Sequence, residues 1–256
     1  MISTVVGYIR KIQQQYKAWD SPTYVWFRGE PESETPLLPK LYRPKSDGSF
    51  HHENKLLQMF RMRASSYSDL PVPDRGDTDQ WLFLAQHVGL PTRLLDWTEN
   101  ALLALFFAVK CDNPLVWMLD PIILNQISLS YGEDDIFAFI EEFPLTWVKP
   151  KFGLINIGRE NISAAWEQDN IGVNLPVAVH PTYMHPRMSA QRSVFTVHGT
   201  VKTPIYEQVS SSILTKFVIN PRARKSLASE LGILGIEEAT AFPDLDGLSK
   251  ELAARY

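Results

Sequence analysis

Hydrophobic positions at the start of the chain recur at helical spacing. Val5, Val6, Ile9, Ile12, Tyr16 and Trp19 follow one another by threes and fours for the most part, which predicts an amphipathic helix over residues 2–19, broken by Asp20-Ser21-Pro22. The pattern then turns aromatic and β-branched, and a short strand is expected over 24–28, ended by Gly29. Residues 30–48 hold four prolines and no clear period, so an irregular stretch hugging the surface is expected. A second helix is predicted over 51–67, with Leu56, Leu57, Phe60 and Ala64 on one side. A third is predicted over 78–87, capped by Asp77 or Thr78 and stopped by Gly89 and Pro91. Asp96 with Glu99 three residues later reads as a capping box opening a fourth helix, 98–110. That helix is apolar almost all round, which marks it as the central buried one.

Beyond it, strands are expected over 115–119 (closed by Asp120-Pro121), 177–180, 194–198 and 217–219. A basic helix over 221–231 is expected to end at Gly232, and a closing helix runs over 246–255. Residues 122–172 mix aromatics, acids and short apolar runs without a period, leaving a lid, a partner surface and core all open. The sum is an α+β fold: one domain over 1–256, with a small mixed or antiparallel sheet, split or continuous, packed by several helices.

Composition narrows the classes. With 45% hydrophobic and 21% charged residues the chain is an ordinary globular one. Twenty-five Lys and Arg against 29 Asp and Glu give −4, which argues against a broad nucleic-acid surface. The longest apolar run, 101–109, is about half a membrane span. The first residues lack a leader pattern, so a cytoplasmic protein is expected. The single cysteine, Cys111, excludes an intrachain disulfide and reads as a partly buried structural thiol.

Three segments carry chemistry. In 24–30 an arginine, Arg28, ends an aromatic strand; its planar fork suits phosphate or carboxylate. Gly29 beside it allows the close approach of a ligand or of another backbone. The bland account is an ion pair of Arg28 with Glu30 or Asp96. In 86–98, Gln86, His87, Thr92, Arg93, Asp96 and Thr98 stand between apolar helices. Such groups cost several kcal/mol if buried unpaired, so they are bonded to one another or face a ligand. The bland account is Asp96 as a cap with Arg93 as its partner. In 180–196 a polar loop with Arg187 and Gln191 leads into a strand. No metal site is expected: His51 and His52 point about 100° apart on a helix, and His180 and His185 lack ligand spacing. Phosphate-binding glycine loops and a GxSxG elbow are absent.

Together these segments resemble the FRG-domain family, a domain of unknown function found mostly in bacteria and their mobile elements. The resemblance rests on Phe27-Arg28-Gly29, then on Gln86, His87, Gly89, Pro91, Thr92, Arg93, Leu94, Leu95, Asp96, Trp97 and Thr98, with the apolar helix after them. Arg187, Gln191, Phe195 and Thr196 match a later element, and the stretch from Gly235 to Asp246 matches the family's ending. The likeness spans 24–252. Arg192-Ser193 departs from the small residue that members often have before the Phe-Thr strand.

The order of these features is similar to that of arginine-type ADP-ribosyltransferases: an early Arg, a middle Ser or Thr and a late acid around a split sheet. Here Gln191 stands for the acid and cannot act as a carboxylate base. On that reading Arg28, Thr92, Arg93, Asp96 and Gln191 are the reacting groups. Tyr24, Gly29, Gln86, His87, Trp97, Thr98 and Arg187 hold the ligand, with Trp97 or Tyr24 stacking on a ring. NAD is then a substrate and no cofactor is tightly bound. The alternatives are a non-catalytic sensor in which Arg28, Arg93 and Arg187 converge on an anion, a protein-interaction module, and a metal-dependent nuclease using Asp96 and Glu30. The expected partner is a nucleotide-type small molecule or a protein target, in a bacterial or phage-defence setting; nucleic acid and membrane are not favoured.

Overall fold

Among the described residues six strands form one sheet: β1 (Trp26–Pro31), β2 (Leu94–Thr98), β3 (Pro114–Leu119), β4 (Val177–Val179), β5 (Ser193–Val197) and β6 (Leu214–Val218). They lie in the order β4-β5-β2-β1-β3-β6, and every pair is antiparallel. The computed structural model describes residues 1–31, 36–67, 72–74, 76–130, 175–199 and 201–256.

The sheet is two three-stranded halves. On one side β1 pairs β3 along its whole length, from Trp26↔Leu119 to Pro31↔Pro114. On the other, β2 pairs β5 from Leu94↔Val197 to Thr98↔Ser193. Between the halves β1 and β2 meet only at Phe27↔Thr98. Past that point the two strands part, and the sheet opens into a cleft.

Alternation sorts the side chains. Phe27, Val116 and Met118 face one core with the central helix, while Trp26, Trp117, Leu119, Leu95 and Trp97 face another. Arg28 and Glu30 follow Trp26 onto its side. Around the sheet pack α1 (Val5–Ala18), α2 (Glu53–Arg63), α3 (Thr78–His87), α4 (Ala101–Val109), α5 (Pro121–Ser130), α6 (Pro186–Ala190), α7 (Ile205–Gln208), α8 (Arg224–Ile233), α9 (Glu238–Ala241) and α10 (Leu245–Arg255). The fold is α+β, as the pattern predicts. Helix α4 is the central buried one, with Leu103, Ala104, Leu105 and Ala108 fully inside.

Gly29 settles which close approach the motif serves. A Cβ there would sit 1.8 Å from the Ala104 carbonyl oxygen and 2.8 Å from the Ala108 nitrogen. The backbone that comes close is α4, not a ligand.

Four expectations are corrected. Residues 94–98 form a strand, so Asp96 is not a helix cap. Long-range pairing with β5 wins over the local capping pattern, and Asn100 caps α4 instead, its Oδ1 accepting from the Leu102 and Leu103 amides at 3.0 and 3.2 Å. Residues 36–42 do not hug the surface: Leu37, Leu38, Leu41 and Tyr42 are buried. The polar loop before β5 contains α6. Gly232 lies within α8, and the chain turns after it at Gly235, whose φ is +74°. Of the unpatterned stretch, 122–130 belongs to α5, with Asp120 Oδ1 accepting from the Ile122 and Ile123 amides; the reading of 131–172 lies outside the described residues.

Candidate functional site

The cleft where β1 and β2 part is the floor of a pocket of about 450 Å³, a size suited to a small ligand. Its walls come from β1, β2, the end of α3, α4 and α6, with β5 at the back.

Arg28 spans the cleft. Its Nε donates to Glu30 Oε2 at 2.8 Å, and its Nη1 donates to the Asp96 backbone carbonyl at 2.6 Å. The side chain thus supplies the bond to β2 that the parted backbone does not. Glu30 is buried, and its other oxygen accepts from the Leu37 amide at 3.1 Å and from Trp117 Nε1 at 2.9 Å. Arg28 and Glu30 are therefore one closed network between β1, β2 and β3. The bland account of Arg28 holds, and three hydrogen bonds already engage the two Glu30 oxygens.

Asp96 is the carboxylate of the pocket. Its side chain is 57% exposed, accepts from Gln86 Nε2 at 2.8 Å and lies 3.9 Å from Arg28 Nη1. Gln86 is oriented from behind: Thr92 donates its hydroxyl to Gln86 Oε1 and accepts from the Leu94 amide. At the far end Thr98 donates to the Gln191 carbonyl at 2.6 Å, and Gln191 Nε2 donates to the Ala241 carbonyl at 3.0 Å.

The rim opposite Arg28 is made by α3 and α6. The His87 and His185 rings lie against each other with centroids 4.4 Å apart and a tilt of 40°, and His185 Nδ1 accepts from the Arg187 amide to cap α6. Burial, with His185 and Arg187 beside it, pushes His87 down to about 4. The Arg187 guanidinium lies 4.4 Å over the Phe242 ring. No carboxylate pairs with it among the described residues.

Of the twelve residues singled out from sequence, Arg28, Gly29, Gln86, His87, Asp96, Trp97, Thr98, Arg187 and Gln191 line this pocket. Three do not. Thr92 is buried behind Gln86. Arg93 points away from the pocket, its Nε and Nη2 held by Glu53 of α2 at 2.6–3.0 Å, so it is neither the partner of Asp96 nor one of three converging arginines. Tyr24 is outside, edge-on to His180. Trp97 lines the wall, but its indole is buried on the opposite face and donates to Thr196, so neither proposed aromatic is placed to stack on a ring. Sequence reading missed Lys40, which sits in the prolinerich stretch with no pattern to mark it, and the apolar wall of Phe107, Met188 and Phe195. Met188 lies within the Arg187–Gln191 segment and Phe195 on the strand after it, where the family resemblance already named Phe195 without giving it a place in the site.

Among the described residues no group of three or more His, Cys, Asp or Glu side chains is arranged to hold a metal ion. No helix among them is long and apolar enough to cross a membrane. A family model described as FRG domain matches residues 23–115, covering β1 through the start of β3 and hence the seam, α3 and α4. Searches of curated proteins and of solved structures returned no match.

Proposed function

We propose that this chain, which carries an FRG domain over residues 23–115, binds a small anionic ligand of the nucleotide class in the pocket between β1 and β2. The observation that supports this reading is the balance of the lining. Arg28, Lys40 and Arg187 face one carboxylate, Asp96, with His87 neutral. Glu30 neutralises Arg28, so the surplus falls on Lys40 and Arg187. Phe107, Met188 and Phe195 supply an apolar wall for the uncharged part of such a ligand. A thermal-shift titration with NAD, ADP-ribose, ATP and inorganic phosphate tests it. Ligand at 100 times its Kd adds about 2.7 kcal/mol of stability. A shift that disappears in Arg187→Gln supports the reading, and no shift with any of the four rejects it.

A second reading is NAD cleavage of the ADP-ribosyltransferase type. What favours it is Asp96: a carboxylate exposed in the pocket, held by a single side-chain hydrogen bond, beside a parted sheet. Its charge would stabilise an oxocarbenium-like transition state. Gln191 would not share that task, since its amide is tied to Ala241. Nicotinamide release from NAD, lost in Asp96→Asn, is the test.

A further inference from the structure

The corner of the pocket between α3 and α6 holds more donor capacity than the protein itself uses. Arg187 is fixed by its stack on Phe242 and by the capped start of its helix, yet no carboxylate neutralises it among the described residues. Two imidazoles in contact, 4.4 Å apart and tilted by 40°, stand next to it. The Nδ1 of His185 is committed as an acceptor, which leaves its proton on Nε2. Resting on the reading that the pocket takes an anionic ligand, we propose that Arg187 and His87, with the His185 ring behind them, form the subsite for a terminal phosphate monoester. We propose further that the phosphate brings a proton from solvent onto His87.

The chemistry follows from charge. A monoester carries about −1.5 to −2 near pH 7 and three acceptor oxygens, and a guanidinium fork takes two of them at once. An imidazole beside a dianion gains from being charged. In the free pocket the opposite holds: His87 is kept neutral by burial first, and then by His185 and the Arg187 guanidinium beside it. The other charged groups facing this corner are Arg28 from β1, Lys40 from the segment after it, and Asp96 from β2, whose carboxylate is engaged by Gln86. Binding therefore raises the pKa of His87 from about 4, and affinity rises as pH falls from 8. The rise ends near pH ~6, where the monoester takes a proton of its own. A phosphodiester or an internal pyrophosphate lacks the second charge and gains less.

Calorimetric titration of the full chain tests this, using adenosine 5′-monophosphate, inorganic phosphate, NAD and adenosine 3′,5′-cyclic monophosphate at pH 7 in buffers of different ionisation heat. The expected result is tenfold or tighter binding of the 5′-monoester over the cyclic diester, with uptake of a measurable fraction of a proton. Arg187→Gln lowers the affinity tenfold or more, and His87→Gln removes the proton uptake while its melting temperature stays within a few degrees. His87→Asn serves as the second variant should His87→Gln misfold, and it too removes the uptake. Equal binding of monoester and diester without proton uptake overturns the subsite and leaves the pocket reading standing. Binding of NAD but not of the monoester does the same and favours the cleavage reading. Failure of all four ligands overturns both.

Discussion

The seam wall and the rim wall of the pocket each present one arginine, and the two are spent differently. Arg28 of the seam gives Nε to a buried carboxylate and Nη1 to a backbone carbonyl, while that carboxylate accepts from two further groups. Arg187 of the rim rests on an aromatic face, with no ion pair among the described residues. A half-buried arginine that holds a buried carboxylate and a neighbouring strand's carbonyl is part of the frame. An arginine held in place with its donors unmatched is prepared for something that arrives. The motif residue that the sequence makes prominent is thus the strut, and the less prominent one is the better anion ligand.

The sharpest break of this comparison is at Gly29. Its Cβ would overlap the α4 backbone at 1.8 Å, and neither backbone has a flexible end to move. Gly29→Ala is expected to cost more than about 4 kcal/mol, read as loss of soluble yield or of a cooperative urea transition. Next comes Arg28→Ala, which strands Glu30 with 7% of its side chain exposed. Removing one partner of a buried pair costs roughly 3–5 kcal/mol, and the partial exposure of Arg28 places it at about 3. Arg28→Met with Glu30→Gln is expected to recover part of that loss in urea unfolding. An Arg28→Ala protein as stable as the parent would erase the difference between the two walls.

A third effect is acid lability at the frame. His198 is fully buried; burial first, then Arg28 and Arg93, push it down to about 3. Its folded pKa is depressed, so its contribution is complete above the unfolded value of about 6.5 and is lost as pH falls towards 3. Over that window the unfolded chain binds a proton that the folded one does not. The slope reaches about 1.4 kcal/mol per pH unit. His198→Gln is expected to flatten the melting temperature between pH 6.5 and 4.5 relative to the parent, and an unchanged slope would remove His198 as its source.

How far the sequence reached can be argued residue by residue. Period and propensity were enough for α1, α3, α4 and β3, because each buries a face whose spacing is local. The same logic failed at 94–98. Leu-Leu-Asp-Trp-Thr has a capping residue in the right place, and only its pairing with Ser193–Val197, about a hundred positions away, makes it a strand. Polar clustering located most of the pocket, since buried polar groups must meet one another or a ligand. It could not tell Arg93 from Arg187, because that choice depends on where Glu53 of α2 arrives. Lys40 carried no local signal at all.

Arg187→Gln should change stability by no more than about 1 kcal/mol, the worth of one cation–π contact, while it weakens ligand binding.

The smallest effect on stability is expected at Asp96, and it separates frame from site on the seam wall itself. Were Asp96 a helix cap, its loss would cost about 1 kcal/mol and a charge partner besides. The carboxylate instead is more than half exposed, accepts one hydrogen bond from Gln86, and stands 3.9 Å from a guanidinium already bonded to Glu30 and to the Asp96 carbonyl. Asparagine keeps an acceptor for Gln86 at the same place. Asp96→Asn is therefore expected to unfold in urea within about 0.5 kcal/mol of the parent, across the cleft from groups on β1 whose loss is costly. Its consequence lies in the pocket, where it removes the one carboxylate of the lining. An anionic ligand binds at least as tightly to the variant, since a repelling charge is gone, whereas any cleavage that uses that charge stops. A variant destabilised as much as Arg28→Ala would make Asp96 a second strut and end the cleavage reading with it.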